Sequence, residues 1–165
     1  MLLGAGLRAG EAIALDVPNL VEDHEGELSL HVRSGKGRKD RVVPVRGDVA
    51  TFLKRYLVST RRRLGAEGPL FRAHDPRSHR SPPGRLTART VGYIVANCAM
   101  KAGIDAKRVS PHSLRHTYAI RALRSGANVI AVQKLLGHAN VATTQKYLDH
   151  LQLSELRAAV PLLPR

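Results

Sequence analysis

Alternation of apolar and polar side chains marks two short strands early in the chain. Leu28-Ser29-Leu30-His31-Val32 alternates cleanly, and Arg41-Val42-Val43-Pro44-Val45 follows after a charged, glycine-containing turn over residues 34–40. A period of two is the signature of a strand, so the segment predicts a β-hairpin. Pro44 has no N–H to offer a second neighbour, which suits an edge position near a strand end. Ahead of the hairpin, small and apolar residues run over 2–15 with Arg8 and Glu11 among them. They read as the end of one helix and the start of another around Gly4 and Gly6. No capping residue precedes them, so the chain is expected to begin inside a structural element. Residues 16–26 are acidic and turn-rich.

After the hairpin the period changes to that of a helix. Val49, Phe52, Leu53, Tyr56 and Leu57 recur on one face and predict a helix over 48–64. Residues 72–86 hold Pro76, Pro82, Pro83 and Gly84 and read as loop. Further helices are predicted over 87–103, from Ser110-Pro111 to about Arg124, over 129–136, over 141–151 and over 154–162. Ser110-Pro111 has the form of an N-cap followed by proline at the first helical position. The expected fold is mostly α with a small antiparallel β-hairpin, an α+β domain. At 165 residues, one domain with a real core is expected.

Charge changes this picture more than composition does. Lysine and arginine number 27 against 13 acids, a net charge of +14. Between Arg33 and Lys101 there are 17 basic residues and four acids, Asp40, Asp48, Glu67 and Asp75. A field of this sign repels itself unless a polyanion is bound, and nucleic acid is the expected partner. Aromatics make up only 4%, with no tryptophan, which argues against base stacking as the main mode of binding. No basic amphipathic helix with an aromatic face supports a membrane surface as the partner. Cys98 is alone, so no intrachain disulfide forms. No apolar run approaches a membrane span, and the first residues lack the pattern of a secretion signal. A cytoplasmic protein is expected.

Four patches carry candidate chemistry, and each alone has an ordinary reading. Arg8 and Glu11 in Gly6-Leu7-Arg8-Ala9-Gly10-Glu11 could be a plain helical ion pair. Lys36, between Gly35 and Gly37, could be a solvated turn lysine. His112 and Arg115 lie three residues apart, on one helix face, where they can address the same ligand. His138 follows Leu136-Gly137, and Tyr147 stands nine residues further on. His112 and His116 have the i, i+4 spacing of a zinc pair, but the glutamate of HExxH is absent and no third ligand is evident. Acids are too sparse around the patches for a two-metal nuclease. No metal and no cofactor is expected.

Taken in order, the patches read Arg, Lys, His-x-x-Arg, His, Tyr. The phrases GLRAGEAIAL, GKGRKDRVVPV, SPHSLRHTYA and LLGHANVATTQKYLDH resemble the tyrosine recombinases, and most closely the Xer-like and phage integrases. The resemblance covers nearly the whole chain and implies their catalytic-domain fold. It implies site-specific DNA recombination or integration through a 3′-phosphotyrosyl intermediate. By position it makes Arg8, Lys36, His112, Arg115, His138 and Tyr147 the catalytic set, with Glu11 in support. Arg38, Lys39 and Arg41, beside Lys36, are the candidate DNA contacts. The implied partners are double-stranded DNA and further copies of the chain, a tetramer on DNA in the family. Residues 154–162 would dock on a neighbouring subunit. Ala9-Gly10 departs from the family pattern, and Gly10 lowers helix stability by roughly 1 kcal/mol. By the same resemblance, the 165 residues are a single catalytic domain without the N-terminal DNA-clamping domain and the first catalytic-domain helices. Two other functions fit these residues: a non-catalytic DNA-binding remnant of a recombinase, and DNA relaxation of the type IB topoisomerase kind.

The residue types suit such a reaction. Transfer of a DNA phosphodiester to an enzyme oxygen gathers negative charge on two non-bridging oxygens. Arg8 and Arg115 offer forked, permanently charged donors to them. Histidines at 112 and 138 can donate hydrogen bonds or move the tyrosine proton. Lys36 can protonate the leaving 5′ oxygen, and Tyr147 is the candidate nucleophile.

Overall fold

A computed structural model describes residues 1–33, 40–73, 84–138 and 140–147. The opening is two helical pieces broken by a glycine. Helix α1 (Leu2–Ala5) ends at Gly6, whose φ of 63° lies in the left-handed region that side chains with a Cβ avoid. The turn sends Leu7 into the core with no exposed surface and starts α2 (Ala9–Ala14) directly after Arg8.

The hairpin forms where alternation places it, as β2 (Leu28–Val32) and β3 (Arg41–Val45), with Leu30 opposite Val43 and Val32 opposite Arg41. A third strand, β1 (Leu20–Glu22), pairs antiparallel with β2, so the sheet order is β1-β2-β3. Sequence reading had assigned this stretch to turns. Three residues are too few to show a period, and only Leu20 of the three is buried. Pro44 sits on an edge strand opposite Ser29.

The last four helices of the described residues each start at a side-chain cap. Thr87, Ser110, Asn128 and Asn140 accept backbone N–H groups from Thr90, Ser113, Ile130 and Ala142 at the heads of α4 (Ala88–Lys101), α5 (Pro111–Arg124), α6 (Val129–Leu136) and α7 (Val141–Gln145). Helix α3 (Gly47–Ser59) stops short of the expected residue 64. The Thr60 hydroxyl takes the carbonyls of Tyr56 and Leu57, and Arg61 follows with a φ of 52°. The expected helix over 154–162, and the end of the one expected over 141–151, lie outside the described residues.

Two apolar clusters form among the described residues. The larger joins the inner face of the sheet to α1, α2, α3 and α4, through Leu7, Leu30, Val43, Leu53 and Val95. The smaller, Ala119, Leu123, Val132, Leu136 and Tyr147, joins α5 and α6 to Tyr147, two residues beyond α7. Burying a side chain of leucine size contributes about 1.5–3 kcal/mol, so both clusters stabilise the elements that meet at the site. Among the described residues, no helix is long and apolar enough to cross a membrane.

Gly6 ties these clusters together. A Cβ there would run into the Tyr118 ring and lie 3.0 Å from Leu136 Cδ2. Gly6→Ala therefore combines left-handed backbone strain with overpacking and should destabilise the domain by about 2–4 kcal/mol. The midpoint of urea unfolding checks this; an unchanged midpoint would show that the turn relaxes without strain.

Candidate active site

The last turn of α6 leaves carbonyls that no helical N–H can reach, and they carry the negative end of the helix dipole. Three arginines, distant in sequence, gather there. Arg41 Nε donates to the Leu135 carbonyl at 2.8 Å. Arg115 Nη2 donates to the Leu136 carbonyl at 2.6 Å, and its Nη1 to the Gly6 carbonyl at 2.6 Å. Arg8 reaches the carbonyls of Leu136 and Gly137 at 3.4 and 3.5 Å.

One carboxylate stands among the three. Glu11 lies one turn into α2, so its side chain folds back on Arg8, taking the Arg8 backbone N–H at 2.8 Å and Nη1 at 2.8 Å. Arg41 meets the same carboxylate with both Nη atoms, at 3.0 and 2.8 Å, and Arg115 Nη1 stands 3.6 Å from Glu11 Oε2. Burial pushes the carboxyl up, but hydrogen bonds from Arg41 and Arg8 outweigh it and hold the group at about 2. Arg115 is brought down to about 10 by burial and by repulsion from Arg8 and Arg41, so it stays charged at neutral pH. Three guanidiniums against one carboxylate leave excess positive charge. Arg8, with 29% of its side chain exposed against 3% for Arg115, is the more open of the two expected phosphate ligands.

His138 follows Gly137, which closes α6 in the left-handed region. Its Nδ1 is 2.8 Å from the hydroxyl of the fully buried Thr144, leaving Nε2 as the nitrogen that can meet a ligand. Burial, and then Arg115, Arg8 and Arg41, lower its pKa to about 4, so the ring is neutral at pH 7. Tyr147 is packed between two histidines. Its ring centroid lies 4.9 Å from that of His116 and 6.1 Å from that of His138, and only 7% of the residue is exposed. The guanidiniums thus stand near a neutral imidazole and a tyrosine, side-chain types that phosphoryl transfer can use.

Residues 1–153 match the family model described as the phage integrase family. The chain belongs to this family. Over 139 residues this integrase-family chain is 36% identical to the tyrosine recombinase XerD of Caulobacter vibrioides, a match covering 81% of the chain and 42% of XerD. Its fold aligns with a crystal structure of XerA recombinase at a TM-score of 0.73 and 37% identity, over 95% of this chain and 53% of that one. A post-cleavage complex of the XerH site-specific recombinase with palindromic difH substrate aligns at a TM-score of 0.74 and 24% identity, over 96% and 42% of the two chains. That last likeness is one of fold. The chain spans about half, or less, of the length of these relatives.

The structure thus brings together Arg8, Glu11, Arg115, His138 and Tyr147. His112 is exposed in the first turn of α5, three residues before Arg115. Lys36, Arg38 and Lys39 lie outside the described residues. Arg41, a candidate DNA contact in the sequence, has a side chain only 8% exposed and engaged with Glu11 and Leu135. Strand alternation puts Arg41 on the inner face with Val43 and Val45, and this was readable in the sequence. Thr144 was not singled out as a site residue, and His116, weighed above as half of a zinc pair, packs on the Tyr147 ring. Thr144 lies three residues before Tyr147, on the same face of the chain's helical turn, which is the signal that could have found it.

The Glu11 shift sets a pH dependence. Its folded pKa lies below the ordinary value of 4.5, so its contribution is complete above that pH and is lost as pH falls toward about 2. Glu11→Gln also leaves buried guanidiniums uncompensated and should destabilise the domain by about 3–5 kcal/mol at neutral pH. Urea titrations of both proteins at several pH values should show the gap narrowing below pH 4.5; a gap independent of pH would mean that Glu11 is not ionised in the fold.

Proposed function

We propose that this domain breaks and rejoins double-stranded DNA by transesterification, as part of a site-specific recombinase. The observation that carries the reading is the excess positive charge around Glu11, set beside a neutral His138 and a Tyr147 packed on it. The chain's likeness to a tyrosine recombinase over most of its length supports it.

In this reading the Tyr147 oxygen attacks phosphorus as it gives up its proton. The P–O5′ bond breaks, the 5′ oxygen takes a proton, and a 3′-phosphotyrosyl ester remains. Attack by the 5′-hydroxyl of the same or another strand reverses the steps, so resealing needs no external energy source. Arg8 and Arg115 hold the non-bridging oxygens as charge builds on them. His138, neutral at pH 7, and His112 donate hydrogen bonds or relay the tyrosine proton. Lys36, between β2 and β3 in sequence, is the proposed acid for the 5′ oxygen, a role worth about 10²–10⁴-fold in rate. Assembly of several copies on DNA belongs to the same proposal.

A nicked duplex that loses its 5′-hydroxyl fragment on cleavage should trap a covalent protein–DNA adduct. Tyr147→Phe should reduce the adduct to background while keeping DNA affinity. An adduct that persists in Tyr147→Phe would rule out this nucleophile. Binding with no adduct in the parent chain would favour a non-catalytic DNA-binding protein. Relaxation of supercoiled DNA without strand exchange would favour a topoisomerase.

Affinity should depend steeply on salt. If about 6–10 phosphates are contacted, it should fall roughly 10³–10⁵-fold between about 50 and 200 mM salt. A flat response in a fluorescence anisotropy titration would exclude the DNA backbone as the main contact.

A further inference from the structure

Arg41 enters none of the chemical steps above, yet its side chain makes three short hydrogen bonds, at 2.8, 3.0 and 2.8 Å. We propose that Arg41 is a positioning residue: its guanidinium fork locks Glu11 to the last turn of α6 and so sets where Arg8 and Arg115 present their charge. The inference rests on the functional reading just given and deepens it.

Three observations carry it. The first is the range of what Arg41 holds. From the first position of β3, its Nε takes a carbonyl of α6 while both Nη atoms take the two oxygens of Glu11 on α2. A planar fork against a carboxylate fixes orientation as well as distance. The second is that Glu11 is shared. The same two oxygens hold the Arg8 backbone and side chain and face Arg115, so any rotation of this carboxylate moves the support of both phosphate ligands. The third is the seat of His138. Gly137 packs on the Arg41 guanidinium so closely that a Cβ there would lie 2.8 Å from Nη1 and 3.0 Å from Cζ. The turn that delivers His138 therefore rests on Arg41.

Packing alone is a poor reason for this residue. A third buried guanidinium repels the other two, and an apolar side chain of similar length often stabilises such a position equally well. What only arginine supplies is the fork.

The test compares Arg41→Lys, which keeps the charge, with Arg41→Met, which keeps the volume. Both are read in single-turnover cleavage of nicked DNA, in DNA affinity, and in binding of inorganic phosphate followed by NMR at the His138 ring. Positioning predicts that both variants fold and bind DNA with nearly the parent affinity. Cleavage should slow by about 10–100-fold, the scale of a displacement near 1 Å at a reacting centre. Phosphate binding should weaken several-fold in both. Glu11→Gln should itself slow cleavage, and adding Arg41→Met to it should slow cleavage little further, because Arg41 acts through Glu11. Lysine or methionine variants that fold, cleave and bind phosphate like the parent would overturn the proposal. So would fully additive slowing with Glu11→Gln, and so would unfolding of both variants, which would make the residue a stability element. If the parent forms no adduct, the functional reading fails on its own, and phosphate binding by the variants still decides the role of Arg41.

Discussion

One largely buried carboxylate, Glu11, holds this fold and its candidate site in the same place. Three guanidiniums packed around the end of α6 would drive each other apart without Glu11. With it, they bridge α2, β3, α5 and α6. The α6 carbonyls supply the second half of the compensation. They are unpaired by the geometry of any helix end, and here they face cations instead of water. An arrangement of this kind is strongly destabilised by loss of its one carboxylate, because the guanidiniums around it are then left without a complement. The two apolar clusters press the elements together, but they are not directional. The direction comes from the guanidinium forks.

The same constraint shapes the chemistry. Arg41 is committed inward to protein acceptors through all three nitrogens, Arg115 is steadied by two carbonyls, and Arg8 stays the most accessible. Their combined field, added to burial, keeps His138 neutral, and Thr144 fixes which nitrogen is used. Tyr147 completes the smaller apolar cluster while its ring lies against His116 and His138. A side chain that packs in the core is held still, and the nucleophile role proposed for Tyr147 would gain from that.

Much of the architecture was legible because it rests on local periodicity. The strands at 28–32 and 41–45 appear with their expected limits, and α5 begins at the expected Ser110-Pro111. Strand β1 was missed because three residues carry no measurable period. Helix α3 was drawn too long because nothing in the apolar pattern shows the Thr60 hydroxyl capturing the last carbonyls. Among the site residues, the order of Arg8, Arg115, His138 and Tyr147 pointed to a shared anion, since those side-chain types suit one chemistry. Arg41 was read as a surface cation from its charged neighbours, although its strand parity already turned it inward.

By itself, then, the sequence determined most of the elements, the Ser110 cap and the inventory of reactive groups, because each depends on residues a few positions apart. It also determined the net positive charge, a sum that needs no geometry. Only the tertiary structure decided which cations face solvent and which are neutralised within. Arg8 and Arg41 look alike in sequence, and 30 residues of chain separate Glu11 from Arg41. Their different fates depend on how the ends of α2, β3 and α6 converge. That convergence is settled by burial of apolar faces over the whole domain, a balance no local pattern records.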